Sequence, residues 1–358
     1  MRGRSSLLLA LCILLISFSA CSSQEKAGTQ TTAAEITAEA EKTPSGSTTS
    51  GAVETEPAGQ EAAEEDIYAL PFSGVRPVAV MIDNQGSRVL PQGGLDKAQI
   101  VYEVIVEGGL TRLMPVFWGT MPEMIGPVRS ARDYFLDYMM EYDAMYVHVG
   151  GSPKALADIK KLKTNDIDGM RVGSDVIWDL TRDKGNWQDS YTSMKKLLDY
   201  AGVRKYRTKT DIKFPFTYND TDVVPAGGQN AVKLTFKYPS MISGYEYDST
   251  GGTYKRLREG KAHMERVSGK QLEAKNIIVQ YVRNYDIKDD SKGRQEMDTT
   301  GSGKGYFITC GKAVKITWSK KDRASQTRYT DESGNPITLN RGQTWIQVVP
   351  LTSKVTIE

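Results

Sequence analysis

The chain has 358 residues, 25% of them charged, with 46 Lys and Arg against 44 Asp and Glu, two histidines and three cysteines. So even a balance argues against a nucleic-acid partner, and two histidines far apart in sequence leave no His-based zinc site. No metal and no cofactor are expected.

Arg2 and Arg4 precede an apolar run, residues 7–16, too short to span a membrane as a mature helix. Ser17-Phe18-Ser19-Ala20 leads into Cys21, the arrangement of a bacterial lipoprotein signal. Residues 1–20 are expected to be removed and Cys21 to be lipidated, anchoring the exported chain to the outer face of the cytoplasmic membrane. Cys12 leaves with the signal, so Cys310 stands alone and no disulfide can form within one chain. Lying in the apolar run "GYFITCGKAVKITW", Cys310 reads as a buried small hydrophobe.

Residues 21–67 read as a disordered acidic tether. Positions 22–66 hold ten Asp and Glu, two Lys and no aromatic residue, a net charge of −8 with too little apolar surface to drive folding. Without Arg2 and Arg4, the remaining body carries 42 basic and 34 acidic residues, a net +8 that favours the anionic polymers and headgroups of a cell envelope.

From residue 68 to about 215 the pattern predicts a mixed α/β domain. "RPVAVMIDN" reads as a buried strand over 78–82 that ends at Asp83 and Asn84. "IVYEVIVEGGLTRLMPVFWG" reads as a hairpin turning at Gly108-Gly109. Alternation puts Glu103 and Glu107 on one face, and Arg112 can pair with Glu107 across the turn. In "IGPVRSARDYFLDYMMEYDAMYVHVGGSPKA", Ser130 and Asp133 have the spacing of a capping box. Ala131, Phe135, Tyr138, Met139 and Tyr142 form one helical stripe. "AMYVHV" is a strand, and Ser152 is an N-cap with Pro153 at the first helical position.

After a junction at 215–230, short runs of alternating residues separated by Gly, Asn, Asp and Ser turns predict a mainly-β domain, sandwich or barrel-like, over 225–358. There His263 reads as a solvent-facing strand residue and Trp345 as a core plug. The fold class is thus an α+β or mixed α/β domain followed by a mainly-β one.

Three loops end strands or open helices: Asp83-Asn84, Arg129–Arg132 and His148–Ser152. Two helix N-termini and the guanidiniums of Arg112, Arg129 and Arg132, with Asn84, Ser130, Gly150, Gly151 and Ser152, would make an anion site. The same arginines could instead pair with Glu103, Glu107 and Asp133 and staple the domain. Asp83, Glu103, Glu107 and His148 are the candidates for acid–base work.

The stretches "RPVAVMIDN", "GLDKAQIVYEVIVEGGLTRLMPVFWG", "IGPVRSAR" and "HVGGSPKA" resemble the N-terminal domain of the DUF3048 family, YerB-like lipoproteins of Gram-positive bacteria. "GTYKRLREGKAH", "NIIVQYV" and "RGQTWIQVVP" are similar to that family's C-terminal domain. The resemblance implies the two-part fold, the lipid anchor and a polar cluster of Asp83, Asn84, Glu103, Glu107, Gly108, Gly109, Thr111, Arg112, Arg129, Ser130, Arg132, His148, Gly150, Gly151 and Ser152, without implying a reaction. Gln188-Asp189 stands where relatives have His-Asn, and Glu265 where they have Asp.

Two functions fit. One is a non-enzymatic binding or regulatory module for an anionic cell-wall polymer, a glycan or an envelope protein, and the balance leans to it. The other is an envelope enzyme of glycan or phosphate-ester chemistry, with Asp83, Glu103 or Glu107 reacting and Arg129 and Arg132 as anion clamps.

Overall fold

A computed structural model describes residues 67–68, 74–181, 183, 185–186 and 188–358. The expected signal, Cys21 and nearly all of the stretch read as an acidic tether lie outside the described residues.

The strand read over 78–82 forms as β1 (Val78–Val80) and, after one irregular residue, a short Ile82–Asp83 segment. The hairpin is β2 (Ile100–Ile105) and β3 (Thr111–Phe117). Its turn holds Gly108 and Gly109 at φ of 68° and 70°, left-handed values that glycine adopts without strain. A Cβ on Gly109 would also sit 2.5 Å from Pro239, so this turn needs glycine for space as well. Next come α1 (Asp133–Met140), β4 (Met145–His148), α2 (Pro153–Leu162), β5 (Asp166–Asp168) and α3 (Met194–Val203).

The β-rich part contributes β6 (Lys233–Tyr238), β7 (Met241–Asp248), β8 (Thr253–Arg258), β9 (Asn276–Val282), β10 (Gly301–Thr309), β11 (Lys312–Lys320), β12 (Arg328–Thr330), β13 (Thr344–Pro350) and β14 (Lys354–Ile357). The order of a mixed α/β part followed by a mainly-β part is the one read from the sequence. Strands from both parts enter one twelve-stranded sheet, ordered β12-β11-β10-β9-β13-β2-β3-β1-β4-β5 along its main path. The join is β13 lying parallel to β2, Thr344 opposite Ile100 through Val348 opposite Val104. A second sheet centred on β8-β7-β6-β14 packs on one face through Leu234, Phe236, Tyr245 and Tyr254. The other face is covered by α1 and α2 through Phe135, Tyr138, Met139 and Ala155.

Four local expectations change. Ser130 does not cap α1: the N-cap is Arg132, which makes no side-chain cap bond. Residues 128–131 are instead extended, with Arg129 N–H donating to Met81 O and Ala131 N–H to Gly150 O, so Ser130 precedes the helix by too much to reach it. Glu107 belongs to the turn after β2 and not to that strand's face. Cys310 is half-buried at φ 48° in the β10–β11 turn, where the close chain reversal keeps it out of the core. His263 is fully buried, because Arg256 and Gln92 bond both of its ring nitrogens. Trp345 is the core plug expected, with the Arg256 guanidinium 4.0 Å from its ring centre.

Candidate functional site

Register brings the first part of the site together. In the pairing of Ile82–Asp83 with β3, Asp83 lies opposite Arg112. The extended segment before α1 zips onto the same strand, Ile82 bridging Val128, and carries Arg129 to Asp83. Arg129 Nε sits 3.1 Å from Asp83 Oδ2. Arg132 grips Glu107 with two nitrogens, Nε at 3.0 Å from Oε2 and Nη2 on Oε1. Arg112 donates to the backbone oxygen of Ser130 at 2.7 Å and reaches Glu107 only at 3.8 Å. Asp83, Glu107, Arg112, Arg129 and Arg132 line a cavity of about 90 Å³ with Gln85 and Thr111.

Three guanidiniums therefore share two carboxylates around one small cavity. Burial lowers the pKa of each, and for Arg129 the adjacent Arg112 charge lowers it further, to about 10 despite Asp83. All three stay charged at neutral pH, as cations whose surroundings under-stabilise them. An N-cap arginine is unfavourable against the helix dipole, and at Arg132 it is Glu107 that offsets this.

Glu103 and Asn84 lie behind this cavity in a closed network. Glu103 Oε1 accepts from Thr111 and Ser243 hydroxyls, both at 2.7 Å, and its Oε2 accepts from Arg256 Nη2 at 2.6 Å. Burial alone would raise its pKa, but the Arg256 charge and these bonds together hold it below the usual carboxylate value. Asn84 Oδ1 accepts from Gln92 and Arg258, and its Nδ2 donates to Thr111 at 2.8 Å. Both side chains are shut off from solvent, so Glu103 has no lone pair turned toward a substrate.

The His148–Ser152 loop forms a separate arrangement. His148 is buried, its Nδ1 on Gly150 O at 2.8 Å and its Nε2 3.3 Å from Asp166. Gly150 N–H donates to Asp168, Ser152 N–H to Ala131 O, and Ala155 N–H to the capping Ser152 hydroxyl at 3.1 Å. Gly151 packs its Cα side against Leu156 and Ala131. These residues brace the segment that carries Arg129 and Arg132 and do not line the cavity.

Sequence reasoning passed over Arg256, Arg258 and Gln92, and marked Gln188 only as a departure from relatives. Arg256 and Arg258 alternate with half-buried positions in phase with the buried Tyr254 of β8, a signal that two arginines face inward. Gln188, at the position where the resemblance puts a histidine, donates to Asp83 Oδ2 at 3.2 Å and to Gln85 O at 2.9 Å. A larger cleft, about 870 Å³, lies beside Asp96, Lys97, Met121, Met124, Glu265 and Ser268. There Glu265 is saturated by the N–H groups of Gly94, Val267 and Ser268 and the Ser268 hydroxyl.

Comparison with known proteins agrees with this two-part layout. Residues 64–207 match the family model described as "Protein of unknown function (DUF3048) N-terminal domain", and 232–346 match its C-terminal counterpart. The chain is 30% identical over 279 residues to "Putative lipoprotein YerB" of Bacillus subtilis (strain 168), covering 77% of this chain and 81% of the relative. The crystal structure of YerB from Bacillus subtilis is similar with a TM-score of 0.70 at 27% identity, over 80% of this chain and 95% of that one. With both of its family models matched in order and a relative aligned over most of its length, the chain belongs to the DUF3048 family.

Proposed function

We propose that the protein is a membrane-tethered envelope protein whose body captures one anionic group of a cell-wall polymer, glycan or envelope protein between Arg112, Arg129 and Arg132. One observation carries the reading: three part-desolvated guanidiniums face a cavity with two carboxylates between them, and Arg112 holds neither carboxylate closely. A phosphate, sulfate or carboxylate would accept the planar donor pairs that arginine presents. A cavity of about 90 Å³ has room for such a group. The Cys21 motif, the acidic tether and the lipoprotein name of the relative support a location at the membrane surface.

The enzymatic alternative has less behind it. Asp83 is held by Arg129 and Gln188, and an amide at Gln188 can neither take nor release a proton there. Glu103 is sealed against Arg256. That leaves Glu107, clamped by Arg132, without a second carboxylate free to work with it.

The test is titration of the full-length chain with teichoic-acid fragments and muropeptides, comparing wild type with Arg129→Ala and Arg132→Ala. Binding should weaken at least about tenfold, the size of one lost charge-assisted contact, with little change in Tm. A large fall in Tm together with unchanged binding would make the arginines staples and end the proposal.

A further inference from the structure

Strands β9, β10 and β11 run past the cover of the second sheet. On the face they turn toward it, Val279, Ile308 and Ala313 are buried in the shared core. Side chains alternate along a strand, so two residues further on the same face carries Tyr281, Tyr306 and Lys315. The tyrosines are half-buried and Lys315 is exposed. Register sets Tyr306 opposite Lys315, Lys304 opposite Thr317, and Thr317 opposite Thr330. Together they floor a groove of about 730 Å³ walled by the turn through Asp331, Glu332 and Gly334. None of these residues touches the arginine cavity.

We propose that this groove binds an uncharged glycan strand, with pyranose rings laid on Tyr281 and Tyr306. The floor is rigid. Phe307, Ile316 and Trp318 are buried on its underside, and Trp318 Nε1 donates to Tyr281 O at 2.9 Å, fixing that backbone. Both rings rest against the core on one side and meet solvent on the other, which is how an aromatic platform offers area without losing rotamer freedom.

The charge of the groove selects the ligand class. Lys304 and Lys315 face Asp331 and Glu332, a net of zero. A polyanion would meet the two carboxylates, and a polycation the two ammoniums. A sugar hydroxyl both donates and accepts, so it uses both kinds of group. Asp331 is held as an oriented acceptor by the N–H groups of Ser333 and Asn335, both at 2.9 Å. Lys304 has only a long contact to Thr317, 3.4 Å, and keeps donors for a ligand. The volume falls within the range of about 300–1,000 Å³ common to small-ligand sites.

The test is calorimetric titration of the full-length chain with the β-1,4-linked tetramer and hexamer of N-acetylglucosamine. Wild type should bind, and Tyr281→Ala and Tyr306→Ala should each weaken binding about tenfold, the effect of removing one stacking platform. Tyr281→Phe and Tyr306→Phe should stay within about twofold, since the ring remains. Arg129→Ala should bind the oligomers as wild type does, which separates this groove from the anion cavity. If an alanine variant loses its cooperative unfolding transition, the exposed changes Lys315→Ala and Glu332→Ala are measured in its place and should weaken binding. The proposal is overturned if wild type shows no heat with either oligomer at millimolar concentration. It is equally overturned if these variants bind as wild type does.

Discussion

Arg256 Nη2 donates to Glu103 Oε2 at 2.6 Å across 153 residues of sequence, and neither side chain is exposed to solvent. Burial opposes both charges, yet Glu103 is held below and Arg256 above its usual pKa, so the pair is ionised in the folded protein. Glu103→Gln leaves the guanidinium buried without its counter-charge and should destabilise by about 3–5 kcal/mol in urea unfolding. The double change Glu103→Gln with Arg256→Met should recover much of that loss, since no buried charge remains. Because the pair ties β2 to β8, far-UV circular dichroism and tryptophan fluorescence should report one coincident transition.

His263 predicts an acid-side loss of stability. Burial, and then the charges of Arg256 and Arg258, push its pKa well below the usual 6.5. The unfolded chain therefore takes up a proton below about pH 6.5 that the folded one refuses. Stability should fall by about 1.4 kcal/mol per pH unit from there down to the folded pKa. His263→Gln keeps a donor and acceptor but cannot titrate, so it should flatten the profile between about pH 6.5 and 5. An unchanged slope in that variant would assign the acid sensitivity to other groups.

Asp96 runs the other way. Burial, with the nearby Glu265 charge adding to it, raises its pKa. A carboxyl that holds its proton more tightly when folded makes the protein more stable as pH falls and less stable once it must ionise. Asp96→Asn should therefore raise Tm at pH 7 by an amount on the order of 1–3 °C. The advantage should vanish below the ordinary carboxylate value of 3.8.

Glu107 discriminates between a ligand cavity and a set of staples. Its carboxylate occupies Arg132 and is the nearest counter-charge to Arg112. Glu107→Gln frees those donors and should tighten binding of a phosphate-bearing oligomer about tenfold while lowering stability by about 1 kcal/mol. If the arginines only staple the domain, the variant loses stability and gains no affinity.

Features set within a few residues were legible in the sequence. Ser152 with Pro153 caps α2 as their order implies, and Gly108-Gly109 turns the hairpin because a left-handed backbone is needed there. The arginines were visible as a cluster, since Arg129 and Arg132 are near neighbours and Arg112 opens β3 opposite Asp83. What no local pattern carries is a partner chosen by distant register. Glu103 could be matched with Arg129 or Arg132 on chemical grounds, and it pairs with Arg256 because β7 and β8 pack over β2. His263 sits next to a turn in sequence and looks exposed, until Gln92 and Arg256 close over it. Gln188 came to notice only as a departure from relatives, and its contact with Asp83 spans 105 residues.

The parallel pairing of β13 with β2 also fixes an order of events during synthesis. Residues 100–105 leave the ribosome long before 344–350, yet one edge of β2 has no neighbour until that late strand is inserted between it and β9. A chain stopped short of residue 344 would display an open, apolar strand edge of the kind that recruits other chains. Truncations near the C-terminal end should thus be the most aggregation-prone fragments of this protein, although they lack little of its sequence.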